Sequence, residues 1–188
     1  MFADVRHKLH ACCHGAHAMI EGLRNLVAAH DITAQNLAAL SIRVNPRWLK
    51  VCDIKAPRTG LEVKFSYVFL AAMVLHHIDT AAYQSYDDSI CGNAGLIATA
   101  SKITVIGDET ISDGAVNVSA DTQTGVRHTT DFDLMDPIDL SVLGPRLVAK
   151  ASVLIGPARA EKIWESMDDL DSMPAAQMAR CLQPLQKA

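Results

Sequence analysis

The chain has 188 residues, 49% hydrophobic and 20% charged, enough to bury one sizeable core, so a disulfide-stapled miniprotein and a disordered tail are excluded. Seventeen Lys and Arg against 21 Asp and Glu leave a net charge of −4, which offers no general basic field to a nucleic-acid backbone. The charge is uneven: residues 1–70 hold nine basic and five acidic side chains with five of the eight histidines, whereas residues 71–188 hold eight basic and sixteen acidic, so an anion site is expected in the first third.

The first helical pattern follows a Cys/His cluster. Met19, Ile20, Leu23, Leu26 and Val27 recur at helical steps, with Glu21, Arg24 and Asn25 on the other face, which predicts a helix over 14–29. Leu40, Ile42 and Val44 then alternate with Ser41 and Arg43, and Leu49 and Val51 alternate with Lys50 and Cys52. With the turn-forming Asn45-Pro46-Arg47 between them, the two runs predict a pair of antiparallel strands. Pro57, Thr59 and Gly60 break the pattern, and 61–78 is apolar nearly all round, as a helix inside the domain would be.

After a looser stretch with an acidic and aromatic patch over 83–88, segments 103–105, 116–120 and 126–130 read as three more strands, with turns at Gly107-Asp108 and Thr124-Gly125. Segment 131–137 reads as an acidic connection. Three helices are expected to close the chain, with Pro145, Pro157 and Pro174 in their first turns and Ser172 as a cap. Ile163, Trp164, Met167 and Leu170, then Met178, Cys181, Leu182 and Leu185, are expected as core stripes. Clustered strands without strict strand-helix alternation predict an α+β fold, an antiparallel or mixed sheet with helices on one face, in one domain over 1–188.

The five cysteines are odd in number and scattered apart from the adjacent Cys12 and Cys13, which points to a reducing compartment. No secretory signal is visible in the first twenty residues, and the longest apolar run, Tyr67–Leu75, is far short of the roughly 20 residues of a membrane helix. A cytoplasmic protein with no membrane or nucleic-acid partner is expected.

Lys8-Leu9-His10-Ala11-Cys12-Cys13-His14-Gly15-Ala16-His17 places one lysine, two cysteines and three histidines at the mouth of the first helix. A helix N-terminus carries partial positive charge, so a carboxylate held there would also meet Lys8 and the imidazoles, and the same field favours a Cys13 thiolate. Three readings stand: a carboxylate-binding or acid-base site, buried structural histidines and cysteines, and a metal site. For the last, Cys13 and His17 at i, i+4 or His14 and His17 at i, i+3 are suitably spaced, but no second paired-ligand motif accompanies them. His76-His77 reads as positive charge at a helix C-terminus, Asp168, Asp169 and Asp171 as a solvated run, and Gly92-Asn93-Ala94-Gly95 lacks the spacing of a phosphate loop.

The run Lys8-x-His10-Ala11-Cys12-Cys13-x-x-x-His17-Ala18, with Leu23 and Leu26 after it, resembles the opening of the C-terminal domain of the MmgE/PrpD family. Pro57-Arg58-Thr59-Gly60-Leu61-Glu62-Val63-Lys64-Phe65-Ser66-Tyr67 is similar to the stretch that opens that family's buried helix, and the helical close with Lys150 and 160–170 is similar to its ending. The family includes 2-methylcitrate dehydratase, cis-aconitate decarboxylase and iminodisuccinate epimerase. The resemblance implies a small di- or tricarboxylate substrate, proton abstraction beside a carboxylate, no cofactor and no obligatory metal, and a homodimer. By motif position it implies that Lys8 is an active-site lysine. Cys13 stands where the decarboxylase members place a histidine and Phe69 where they use a tyrosine, with Tyr67 two residues earlier; both departures weigh against decarboxylation, and a cysteine base is compatible with epimerisation.

On this reading Lys8, Cys13 and His17 are the expected catalytic residues, and His10, His14, Lys64 and Ser66 the expected substrate-binding ones. The family's enzymes also carry an N-terminal helical domain that completes the cleft. Its absence from this sequence implies an excised, split or truncated protein, incomplete alone, or a separate helical chain as partner. The alternative function is a non-catalytic dimerisation or partner-binding domain, and after it a Cys/His metal-binding module.

Overall fold

The computed structural model describes residues 6–183. The chain forms two compact units, one ending at Pro137 and the other beginning at Ile138. The first contains helices α1 (His17–His30), α2 (Leu49–Cys52), α3 (Gly60–Val63), α4 (Tyr67–Leu75) and α5 (Ala94–Ala100) and strands β1 (Leu37–Val44), β2 (Ile103–Gly107), β3 (Ala115–Thr122) and β4 (Arg127–Asp133). The second contains α6 (Leu140–Ile155), α7 (Pro157–Glu165) and α8 (Ala175–Leu182).

The strands form one mixed sheet in the order β2-β1-β3-β4. β1 and β2 are parallel, with Ile42 opposite Val105. Parallel neighbours need a crossover, and helices α2 to α5 occupy it. β3 runs antiparallel to β1, and β4 antiparallel to β3. The last pair is joined at Gly125, whose φ of +83° suits a residue without a Cβ. One face of the sheet presents Leu40, Ile42, Val44, Val116, Val118 and Ala120 to the core, while Arg43, Asn117, Ser119 and Asp121 alternate onto the other. α1 packs on β3 and β4, and Gly22 makes the approach close: a Cβ there would lie 3.2 Å from both Val116 and Phe132. The fold is α+β, with helices against a mixed sheet.

The expected second strand at 49–51 is a helix. The Asn45 side chain accepts the Arg47 amide, Pro46 occupies the first position of a short turn through Trp48, and the chain winds on into α2. Val51 is exposed and Cys52 buried, the reverse of the strand expectation. The single helix expected over 61–78 is two. The Thr59 side chain caps α3, the chain breaks over residues 64–66, and Ser66 Oγ accepts the Phe69 amide to start α4. All nine residues of α4 are buried. α5 replaces part of what reads as a loose stretch, with the Asn93 side chain accepting the Leu96 amide at its start. Residues 131–133 of the expected acidic connection belong to β4.

In the second unit, Asp139 caps α6 by accepting the Ser141 amide, which places Pro145 inside the helix and not in its first turn. Pro157 does open α7, whereas Pro174 precedes α8 and Ser172 hydrogen-bonds Asp169 O instead of capping. The expected stripe of Trp164, Met167 and Leu170 is exposed, and Met167 and Leu170 lie past the end of α7. Leu185 and the side chains of Cys181 and Leu182 lie outside the described residues. No helix among the described residues is long and apolar enough to cross a membrane.

Candidate functional site

The segment before α1 is laced to two distant parts of the first unit. Ala11 N donates to Thr80 O at 2.8 Å, and Cys13 N donates to Lys64 O at 3.0 Å. A turn over His14–Ala16 then leads into α1, so 10–17 is held between α1 and the two segments that flank α4.

His10 is the best-anchored member. Its ring is buried, with Nε2 2.8 Å from Glu21 Oε1 and Nδ1 2.7 Å from Thr80 Oγ1. Because Glu21 and His17 are one helical turn apart, this bond brings His10 against His17. The His10 and His17 rings meet edge-on at 5.0 Å between centroids, and the His14 ring lies tilted at 5.2 Å from that of His17. His17 is buried and His14 half-buried. Burial holds the His14 pKa below its ordinary value, and the nearby charges of exposed Lys8 and half-buried Arg6 depress it further, so near neutral pH His14 is an uncharged imidazole.

Three thiols gather around the same segment, two on it and one brought in by α2. Cys12 and Cys52 are buried and Cys13 is half-buried. Cys52 is pushed well above the usual thiol range, first by burial and then by its hydrogen bond to Cys13. Tyr67 is wholly buried and donates its hydroxyl to Gly15 O at 2.8 Å; burial, with Cys52 and Cys13 close by, raises its pKa and keeps the phenol neutral. Gly15 in turn lies under the Trp48 ring, where a Cβ would stand 2.3 Å from Cε3.

Lys8, His10, Cys13, His14 and His17 therefore share one end of α1. Lys64 joins them through its main chain, while its ammonium lies over the rings of Tyr83 at 4.4 Å and Tyr86 at 5.0 Å. Ser66 is fully enclosed, with its oxygen engaged as the cap of α4. Among the described residues, no group of three or more His, Cys, Asp or Glu side chains is arranged to hold a metal ion. Sequence reasoning missed Glu21, Thr80, Cys52 and the inward hydroxyl of Tyr67. The His17-x-x-x-Glu21 spacing was the available signal for the first.

The family model of the MmgE/PrpD C-terminal domain matches residues 10–135. The chain belongs to the MmgE/PrpD family. The match starts two residues after Lys8 and ends two residues before the boundary of the first unit, so the family's C-terminal domain coincides with the sheet, α1 to α5 and the His/Cys segment. Helices α6 to α8 lie beyond it. No curated protein matches the chain.

Chemically, the segment that leads into α1 combines a solvent-facing cation at Lys8, a neutral imidazole at His14 and a half-buried thiol at Cys13. A cation of this kind stabilises negative charge on carboxylate oxygens, and an uncharged imidazole accepts a proton.

Proposed function

We propose that this chain contributes the C-terminal-domain side of a site that abstracts a proton beside a carboxylate of a small di- or tricarboxylate, in a dehydratase or an epimerase. The observation that carries the reading is the gathering of Lys8, Cys13 and His14 at one end of α1, with the His14 ring 5.2 Å from that of His17 and its pKa lowered by burial first and by Lys8 second. A carboxylate drawn to Lys8 would bring its α-carbon to a base in its unprotonated form.

In this reading Lys8 balances the charge that grows on the carboxylate as the C–H bond breaks, and Cys13 or His14 takes the proton. For epimerisation a second group, with His17 as the candidate, returns a proton to the opposite face. For dehydration a protonated group supplies the leaving hydroxide with its proton, so that water departs. His10 and Glu21 keep His17 oriented, and Lys64 and Ser66 support the loop that carries Cys13. A helical domain, on a neighbouring chain or on a longer form of this one, completes the cleft, and the assembly is a homodimer. Proton transfer of this kind calls for no cofactor, and the reading places the enzyme in the cytoplasm.

The test is exchange of the α-proton of succinate and citrate in D2O, followed by NMR. The chain is used alone and together with an MmgE/PrpD helical domain. Exchange is expected in the assembly and is expected to fall by about a hundredfold in Cys13→Ser or Lys8→Met. Exchange that survives both substitutions removes these residues from the chemistry. Absence of both binding and exchange in the assembly replaces the enzyme with a partner-binding domain.

A further inference from the structure

On the outer side of α1, away from its N-terminal mouth, an open groove of about 510 Å³ runs between Arg24 and Asn25 of α1 and the turn that ends α4. Arg24 and His77 line it, and neither has an ion pair or a side-chain hydrogen bond among the described residues. Half-buried Val27 and Ile78 supply an apolar wall. The acidic residue at the groove, Asp79, is engaged with its own turn, its Oδ1 accepting the Ala81 amide at 2.8 Å. At the base lies Thr80, whose hydroxyl holds His10 Nδ1 at 2.7 Å. His77 reaches the groove from a φ of +56°, a backbone conformation that disfavours any side chain.

We infer that this groove binds a carboxylate that carries a short branched apolar body. The head lies between the Arg24 guanidinium and the His77 imidazole, with the Asn25 amide as a further donor. The body lies along Val27 and Ile78. A planar guanidinium presents paired donors that suit a carboxylate, and a groove of this size with mixed lining suits a small molecule better than a protein segment. The site stands independently of the proposed proton chemistry. Its link to the His cluster is Thr80, which touches the groove on one side and His10 on the other.

The experiment uses the 15N-labelled full chain, titrated with 3-methylbutanoate, acetate and inorganic phosphate at neutral pH. 3-Methylbutanoate is expected to shift the amides of Arg24, Asn25, His77 and Thr80, and to bind about tenfold more tightly than acetate because of its added apolar area. Arg24→Gln is expected to weaken it about tenfold. His77→Gln is expected to weaken it severalfold. Asp79→Asn, which keeps the acceptor for Ala81 N–H and removes a negative charge, is expected to tighten it. Lys8→Met is expected to leave it unchanged, which separates this groove from the site at the mouth of α1. Equal affinity in wild type and in both Arg24→Gln and His77→Gln overturns the assignment. Shifts confined to residues 8–17 overturn it too, as does phosphate binding as tightly as 3-methylbutanoate.

Discussion

His10 and Glu21, eleven residues apart, are joined at 2.8 Å inside the first unit, with 1% and 9% of their side chains exposed. This bond fastens the segment carrying Lys8, Cys12 and Cys13 to the helix carrying His17. Thr80 completes the clamp from the other side of the His10 ring.

Removing one partner of a buried pair leaves the other desolvated and uncompensated. Glu21→Ala is expected to lower the stability of the first unit by about 3 kcal/mol. Glu21→Gln keeps an oxygen and an amide at the same place and is expected to cost about 1 kcal/mol. Urea titration of the two variants measures both, and equal, small losses would show that the pair does not anchor the segment.

The same residues mark what was legible in the sequence. A helix with one apolar stripe predicts Glu21 on the solvent side, but residues 17–23 of α1 are buried on all sides because the segment before the helix wraps its outer face. That wrapping is a tertiary event with no local signal beyond the i, i+4 spacing of His17 and Glu21. Strands β1 and β3 were legible because each has one face in the core, so alternation and burial agree. The false strand at 49–51 was too short for alternation to outweigh the Asn45 cap and Pro46, both of which start a helix. In the candidate site, the residues on 8–17 were legible as a cluster. Cys52 and Tyr67 were not, because α2 and α4 bring them in from far along the chain.

Two glycines near the site differ in what they face. A Cβ on Gly60 would stand 1.7 Å from the Tyr86 carbonyl oxygen, which is main chain and cannot turn aside. On Gly15 it would meet the Trp48 ring, which is itself held by a hydrogen bond of 2.8 Å from Nε1 to Asp113 O. Gly60→Ala is therefore expected to cost about 3 kcal/mol and Gly15→Ala about 1.5 kcal/mol. Only the second is expected to be relieved by a smaller neighbour, Trp48→Leu, in a double-mutant cycle read by thermal unfolding.

His14 gives a pH dependence with a definite sign. Its pKa in the folded chain lies below the ordinary 6.5, through burial first and then Lys8 and Arg6. Well above 6.5 the imidazole is neutral whether the chain is folded or not, and the group contributes no pH dependence. As the pH falls below the unfolded value, the unfolded chain takes up the proton first. Stability is then lost until the pH has passed the folded value, and no further loss arises from this group. Lys8→Met removes one of the causes and is expected to move the His14 titration upward, while burial keeps it below 6.5. The Cε1 proton resonance of His14 followed against pH reports the shift, and an unchanged titration would detach Lys8 from His14.

His77 closes α4 at a φ of +56°, donating its amide to Val74 O while Ile78 N reaches back to Met73 O at 2.9 Å. This arrangement normally uses glycine, because a Cβ in the left-handed region crowds the adjacent carbonyl. His77→Gly is expected to raise stability by about 1 kcal/mol and to delay thermal unfolding. His77→Ala retains the Cβ and is expected to bring no such gain, which isolates backbone strain from loss of the imidazole. Both variants remove the imidazole from the groove beside Arg24, so both are expected to lose affinity for 3-methylbutanoate while only the glycine variant gains stability. A glycine variant no more stable than the alanine one would mean that the left-handed turn carries no cost for its side chain.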